Sequence, residues 1–102
     1  MTDAEFLQQV KRYVHDIDPQ AEVWLFGSRA RGDARDDSDW DFLILTALDL
    51  SPGKRWLFSD HLYDIQFESG NIISTIVWPQ NDKNRFAVTD LYANVMDEGI
   101  KL

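Results

Sequence analysis

The sequence predicts an α+β fold, a small mixed β-sheet flanked by helices in the α/β manner. Three observations carry that expectation. Apolar residues recur at helical spacing near both ends of the chain. Short unbroken apolar runs of strand length lie between them, and Gly, Pro and Asn corners separate the segments. The 102 residues suit one domain, 1–102, since a chain of this size buries roughly 60–70% of its unfolded surface.

Residues Asp3 to Asp16 read as the first helix. Phe6, Val10, Tyr13 and Val14 share one face, Thr2 offers a capping hydroxyl, and Glu5 stands three positions on. Asp18-Pro19 ends the helix, because proline disfavours helical geometry in the residue before it. Val23-Trp24-Leu25-Phe26 is a short continuous apolar run, which reads as a strand buried on both faces. Gly27 breaks it, and Ser28 to Arg31 reads as the first turn of a short helix. Trp40 to Leu45 is a second strand, Ser51-Pro52-Gly53 a loop, and Lys54 to about Leu62 a short helix. Tyr63 to Glu68 and Ile72 to Trp78 read as two strands joined by a Ser69-Gly70-Asn71 hairpin turn. Thr89 caps a last helix with Leu91, Val95 and Met96 facing inward, and Gly99 stops it.

Composition narrows the function. With no cysteine, the chain offers no disulfide, thiolate metal site or thiol nucleophile. No apolar run approaches the ~20 residues of a membrane span, and the N-terminus is acidic rather than signal-like, so a cytoplasmic location is expected. Ten Lys and Arg against 18 Asp and Glu give a net charge of −8. That balance disfavours long nucleic acid, whose binding is driven by basic residues on phosphates. It suits a basic partner protein, or a small anion held at one local basic spot.

The stretch Phe26 to Phe42, FGSRARGDARDDSDWDF, concentrates the chemistry. Gly27-Ser28 sits where a buried strand hands over to a helix. Glycine admits a ligand close to the backbone, the free N–H groups of a helix start attract an anion, and the Ser28 hydroxyl adds a donor. An ordinary strand-to-helix turn has the same outline. Asp39 and Asp41 lie two apart at the start of a strand, which puts both carboxylates on one face roughly 6–7 Å apart and sends Trp40 and Phe42 to the other. Adjacent carboxylates repel unless a cation sits between them, and a hard divalent ion is the natural one. A solvated acidic loop accounts for Asp36 and Asp37 better than for this alternating pair. An EF-hand reading of Asp37, Asp39 and Asp41 fails, because its sixth position is Phe42 and its twelfth is Leu48. The chain contains no Walker A or Gly-x-Gly-x-x-Gly motif.

Gly27-Ser28, ten intervening residues and Asp39-Trp40-Asp41 together resemble the signature of the DNA polymerase beta-like nucleotidyltransferases. The string Gly-Ser-Arg-Ala-Arg-Gly followed by Ser38-Asp39-Trp40-Asp41 is similar to the minimal nucleotidyltransferase (MNT) subfamily. Leu62-Tyr63-Asp64-Ile65 resembles the family's third-carboxylate strand, and Asn94 to Ile100 its C-terminal helix end. The resemblance implies the nucleotidyltransferase fold, with Asp39, Asp41 and a third carboxylate binding two Mg²⁺ ions. Gly27 and Ser28 would grip the β- and γ-phosphates of ATP, and Arg31 would touch the triphosphate. Arg29 is the weaker candidate for that contact, and pairing with Asp33, Asp36 or Asp37 is the alternative for either arginine. For the third carboxylate both Asp64 and Glu68 are open, roughly 13 Å apart along a strand; the Tyr-Asp-Ile context favours Asp64. His15 and His61 read as structural.

The activity implied is transfer of a nucleoside monophosphate, AMP from ATP, to a hydroxyl on a separate protein. Stand-alone members of the subfamily are often antitoxins that adenylylate a tyrosine of a helical HEPN-type toxin. The alternative is a non-catalytic nucleotide- or partner-binding antitoxin or regulatory module. A third reading is a subunit that modifies a small molecule once a partner completes the pocket.

Overall fold

The computed structural model describes residues 1–54 and 56–102; Arg55, inside the expected helix after the Ser51-Pro52-Gly53 loop, lies outside the described residues. The elements run α1 (Asp3–Ile17), β1 (Glu22–Phe26), α2 (Ser28–Arg31), β2 (Trp40–Thr46), α3 (Leu57–Ser69) and β3 (Ile73–Pro79). A 3₁₀ turn (Gln80–Asp82), α4 (Lys83–Phe86), α5 (Asp90–Glu98) and β4 (Ile100–Lys101) follow. The strand order is β3-β2-β1-β4. β1 pairs antiparallel with β2 and β4, and β2 pairs parallel with β3, so the sheet is mixed as expected.

Local chemistry sets the ends of α1. The Thr2 hydroxyl accepts the Glu5 N–H at 3.1 Å while the Glu5 carboxylate accepts the Thr2 N–H at 3.1 Å, a reciprocal cap. At the other end Asp18 is buried yet fully partnered. One carboxylate oxygen accepts the Gln20 N–H at 3.0 Å; the other accepts the Thr46 hydroxyl at 2.6 Å and the Ala47 N–H at 2.8 Å. This carboxylate ties the exit of α1 to the end of β2.

Two apolar layers hold the sheet. On one face Phe6, Val10 and Val14 of α1 and Phe58, Leu62 and Ile65 of α3 pack on Val23, Leu25, Trp40, Phe42 and Ile44. On the other, Leu43 and Leu45 meet Phe86 and Val95, with Trp24, Phe26, Ile76 and Trp78 half-buried around them. β2 is the centre of both, so its residues from Phe42 to Thr46 are all buried.

Tyr63 to Glu68 is not a strand, and Ser69-Gly70-Asn71 is not a hairpin turn. Both belong to α3 and its exit. Tyr63, Ile65 and Phe67 alternate with polar residues, which mimics period two over six positions. The longer row Phe58, Leu62, Ile65 and Ser69 has helical spacing, and its apolar members are buried. Gly70, at φ 75, closes the helix with its N–H on Gln66 O. The Gln66 side-chain oxygen then accepts the Ile73 N–H at 2.7 Å, launching β3. The two-residue β4 is an addition to the expected order.

Candidate active site

Strand β1 delivers Phe26 directly opposite Asp41 on β2, and the chain turns sharply at the next residue. Gly27 has φ 76 and ψ −159, a backbone that side-chain-bearing residues rarely adopt. Space forbids a side chain as well. A Cβ at residue 27 would fall onto Asp41 Oδ2 and lie 3.3 Å from its Cγ. From this corner α2 begins, with the Ala30 and Arg31 N–H groups both donating to Gly27 O at 3.1 Å. The N–H groups of Ser28 and Arg29, at the start of the turn, have no acceptor within it. The glycine of the corner and Asp41 of the pair thus meet in one place.

Asp41 stands half-buried on β2, while Trp40 and Phe42 turn into the α1–α3 layer at 4% and 0% exposure. Asp39 is exposed, one residue before the strand. Burial pushes the Asp41 carboxyl above its ordinary range, the Asp39 charge pushes the same way, and Arg31 pulls partly back. A cation between two carboxylates that oppose each other's ionisation would relieve that repulsion.

Arg29 and Arg31 have different roles. Arg29 lies over the Trp40 ring, its guanidinium carbon 4.6 Å from the ring centroid. It donates to Ser38 O from Nε at 3.3 Å and from Nη2 at 2.9 Å, and to Asp36 O at 3.2 Å. With its donors on these carbonyls, Arg29 fastens the loop that presents Asp39; its contacts to the acidic loop are to backbone oxygens, not to carboxylates. Arg31 faces the cleft side and pairs with Asp33 at 3.2 Å and Glu98 at 3.6 Å. It is near enough to Asp41 to lower that carboxyl's pKa.

Asp64 does not join the pair. It sits on the outward face of α3, away from buried Leu62 and Ile65, and Glu68 is exposed on the same helix. Among the described residues no group of three or more His, Asp or Glu is gathered to hold a metal ion. The position that registers with Asp41 on the neighbouring strand is Ser74, an exposed hydroxyl. Asp39 and Asp41 would suit a hard, oxygen-seeking divalent ion such as Mg²⁺, whose charge would offset theirs. A second ion has no third carboxylate here among the described residues.

Sequence reasoning missed Glu98 and Ser74. Glu98 was within the segment that resembles the family's C-terminal helix end, but its pairing with Arg31 needs the tertiary fold. Ser74 lies in the strand expected at Ile72 to Trp78, but its register with Asp41 needs the assembled sheet. The histidines are structural: His15 contacts Ala21 O at 3.0 Å, and His61 meets Asp16 at 3.3 Å with its ring 4.8 Å from that of Tyr13.

Comparison with known proteins places the geometry. Residues 7–102 match the family model described as a nucleotidyltransferase domain. No curated protein matches. Among solved structures, the chain is similar to one in a toxin–antitoxin crystal structure with AMP-PNP, at 17% identity and TM-score 0.63, covering 98% of this chain and 72% of that one. It is similar to a chain of the tri-AMPylated Shewanella oneidensis HEPN toxin in complex with MNT antitoxin, at 19% identity and TM-score 0.65, covering 98% and 71%. A putative nucleotidyltransferase from Sulfolobus solfataricus aligns at 24% identity and TM-score 0.58, covering 96% and 79%. At these identities the structural likeness speaks for the fold. Over nearly its whole length, and with its Gly-Ser corner backed onto an aspartate pair, the chain belongs to the nucleotidyltransferase domain family.

Proposed function

We propose that this chain transfers a nucleoside monophosphate, AMP from ATP, to a hydroxyl on a separate protein, as the antitoxin of a HEPN/MNT toxin–antitoxin pair. The carrying observation is the contact of Gly27 with Asp41, which joins a phosphate-accepting corner to a cation-accepting pair. The Ser28 and Arg29 N–H groups and the Ser28 hydroxyl hold the outgoing β- and γ-phosphates. Asp39 and Asp41 would hold Mg²⁺ and, through it, the triphosphate, and Arg31 would add positive charge beside Asp41. When bound, Mg²⁺ supplies neutralisation of the charge that builds up during in-line displacement. The acceptor hydroxyl oxygen bonds to the α-phosphorus and loses its proton to solvent as the bond to the leaving pyrophosphate breaks. The comparisons support this reading: one similar structure contains AMP-PNP, and another contains an AMPylated HEPN toxin.

Ser74 favours a second reading. With a hydroxyl beside Asp41 and Asp64 turned outward, the same cleft suits a non-catalytic module that binds nucleotide and partner without turnover. Incubation with labelled ATP, Mg²⁺ and the product of the neighbouring gene, or a HEPN-type protein, separates the two. Label should pass to the partner, and Asp39→Ala should abolish transfer while leaving partner binding intact. Partner binding with no transfer would establish the non-catalytic module.

A further inference from the structure

The outward face of α3 carries an aromatic row that the described fold leaves uncovered. Trp56, at the helix cap, is 65% exposed, Tyr63 61% and Phe67 83%. Their spacing places them along one side of the helix. Single exposed apolar residues are ordinary, but three large aromatics in a row mark an interaction surface. A groove of about 390 Å³ lies alongside, between α3 and the edge strand β3, and Tyr63, Gln66 and Thr75 are among its lining.

A row of carboxylates runs beside the aromatic one. Asp60, Asp64 and Glu68 follow each other at four-residue spacing, and α3 contains no Lys or Arg. None of the ion pairs among the described residues includes them. Like charges at this spacing weaken a helix. Exposed aromatics, and carboxylates without an ion pair among the described residues, are thus both relieved by one kind of partner.

We infer that the Trp56–Tyr63–Phe67 face of α3 docks an amphipathic helix of a second, different protein, one whose apolar stripe is flanked by Lys or Arg. A row at helical spacing suits ridge-into-groove packing against another helix. The flanking charges select its sign. A second copy of this chain is disfavoured, because pairing α3 with α3 would set carboxylates against carboxylates; an anionic lipid surface is disfavoured for the same reason. The face belongs to the α1–α3 side of the sheet, opposite the side of Asp41, so docking leaves the cleft open. The inference is independent of nucleotide transfer.

The probe is a synthetic helical peptide with a leucine stripe flanked by lysines, titrated calorimetrically into the full chain beside a copy with glutamates for lysines. The lysine peptide should bind, and Phe67→Ala and Asp64→Lys should each weaken it by about tenfold or more. Asp97→Asn on α5 and Asp41→Asn should leave binding unchanged. Both α3 positions are exposed, so circular dichroism should show the fold retained. Absence of binding, equal binding of the glutamate peptide, or indifference to both α3 substitutions would overturn the inference. So would a dimer of the free chain, seen by sedimentation, that Phe67→Ala dissociates.

Discussion

Gly27 and Asp41 share one space: the carboxylate of Asp41 occupies the volume in which a side chain at residue 27 would begin. Gly27→Ala therefore meets two obstacles, a φ of 76 and a collision with the aspartate. Gly32 has φ 83 but nothing within 4 Å of its missing side chain, so Gly32→Ala isolates the backbone penalty alone. Urea unfolding should show a loss of about 1 kcal/mol for Gly32→Ala and roughly 2–3 kcal/mol for Gly27→Ala. Only the second should also depress ATP binding, since only it displaces Asp41.

Asp41 should make the free protein less stable as pH rises. Burial and Asp39 raise its pKa in the folded chain, so between the ordinary carboxyl value and the raised one the folded state holds more proton than the unfolded state. Stability is greatest below that window and declines through it. Asp41→Asn should remove the decline and leave the apo fold as stable or slightly more so, while cutting nucleotide transfer by about a hundredfold or more. Thermal melts across the acid range and a transfer assay at neutral pH check the two halves.

Asp18 should show the opposite sign. Burial pushes its carboxyl up, but hydrogen bonds from the Thr46 hydroxyl and the Ala47 and Gln20 N–H groups outweigh burial and hold it below the usual range. Its stabilisation is complete above the ordinary carboxyl pKa and is lost as pH falls toward the lowered folded value. Asp18→Ala strands three donors near the end of β2 and should cost about 2–4 kcal/mol at neutral pH. The loss should shrink in acid, as melts at both pH values would show.

The Arg29 side chain should govern activity by holding the loop before Asp39, while only the residue's backbone N–H faces nucleotide. Its three hydrogen bonds to Ser38 O and Asp36 O and its stacking on Trp40 fix the approach to Asp39. Arg29→Ala should lower transfer by about tenfold or more and shift the fluorescence of the otherwise buried Trp40, with Arg29→Lys recovering only part, because lysine lacks the planar fork. An unchanged transfer rate in Arg29→Ala would detach this arginine from the site.

The sequence made much of this legible where signals were local. The Thr2–Glu5 cap, the break at Gly27 and the alternation around Asp39 and Asp41 are written in neighbouring residues, and the structure keeps them. Segment Tyr63 to Glu68 went astray because six residues of apolar–polar alternation are too few to separate period two from the helical row begun at Phe58. That error carried Asp64 into a strand it does not occupy, whereas Ser74 lies in a strand the sequence does indicate and only its register with Asp41 needed the fold. The Arg31–Glu98 pair and the Asp18–Thr46 bond link residues far apart in the chain, so only the assembled fold reveals them.

Parallel reactions with ATP labelled at the α- or at the γ-phosphate, with Mg²⁺ and the proposed partner protein, show whether the cleft at Gly27, Ser28, Asp39 and Asp41 transfers a nucleotidyl group. Label from the α-position should remain on the partner and γ-label should leave with pyrophosphate; transfer should vanish in Asp41→Asn and persist in Asp64→Asn. Retention of the γ-label, or full α-label transfer by Asp41→Asn, would contradict the account.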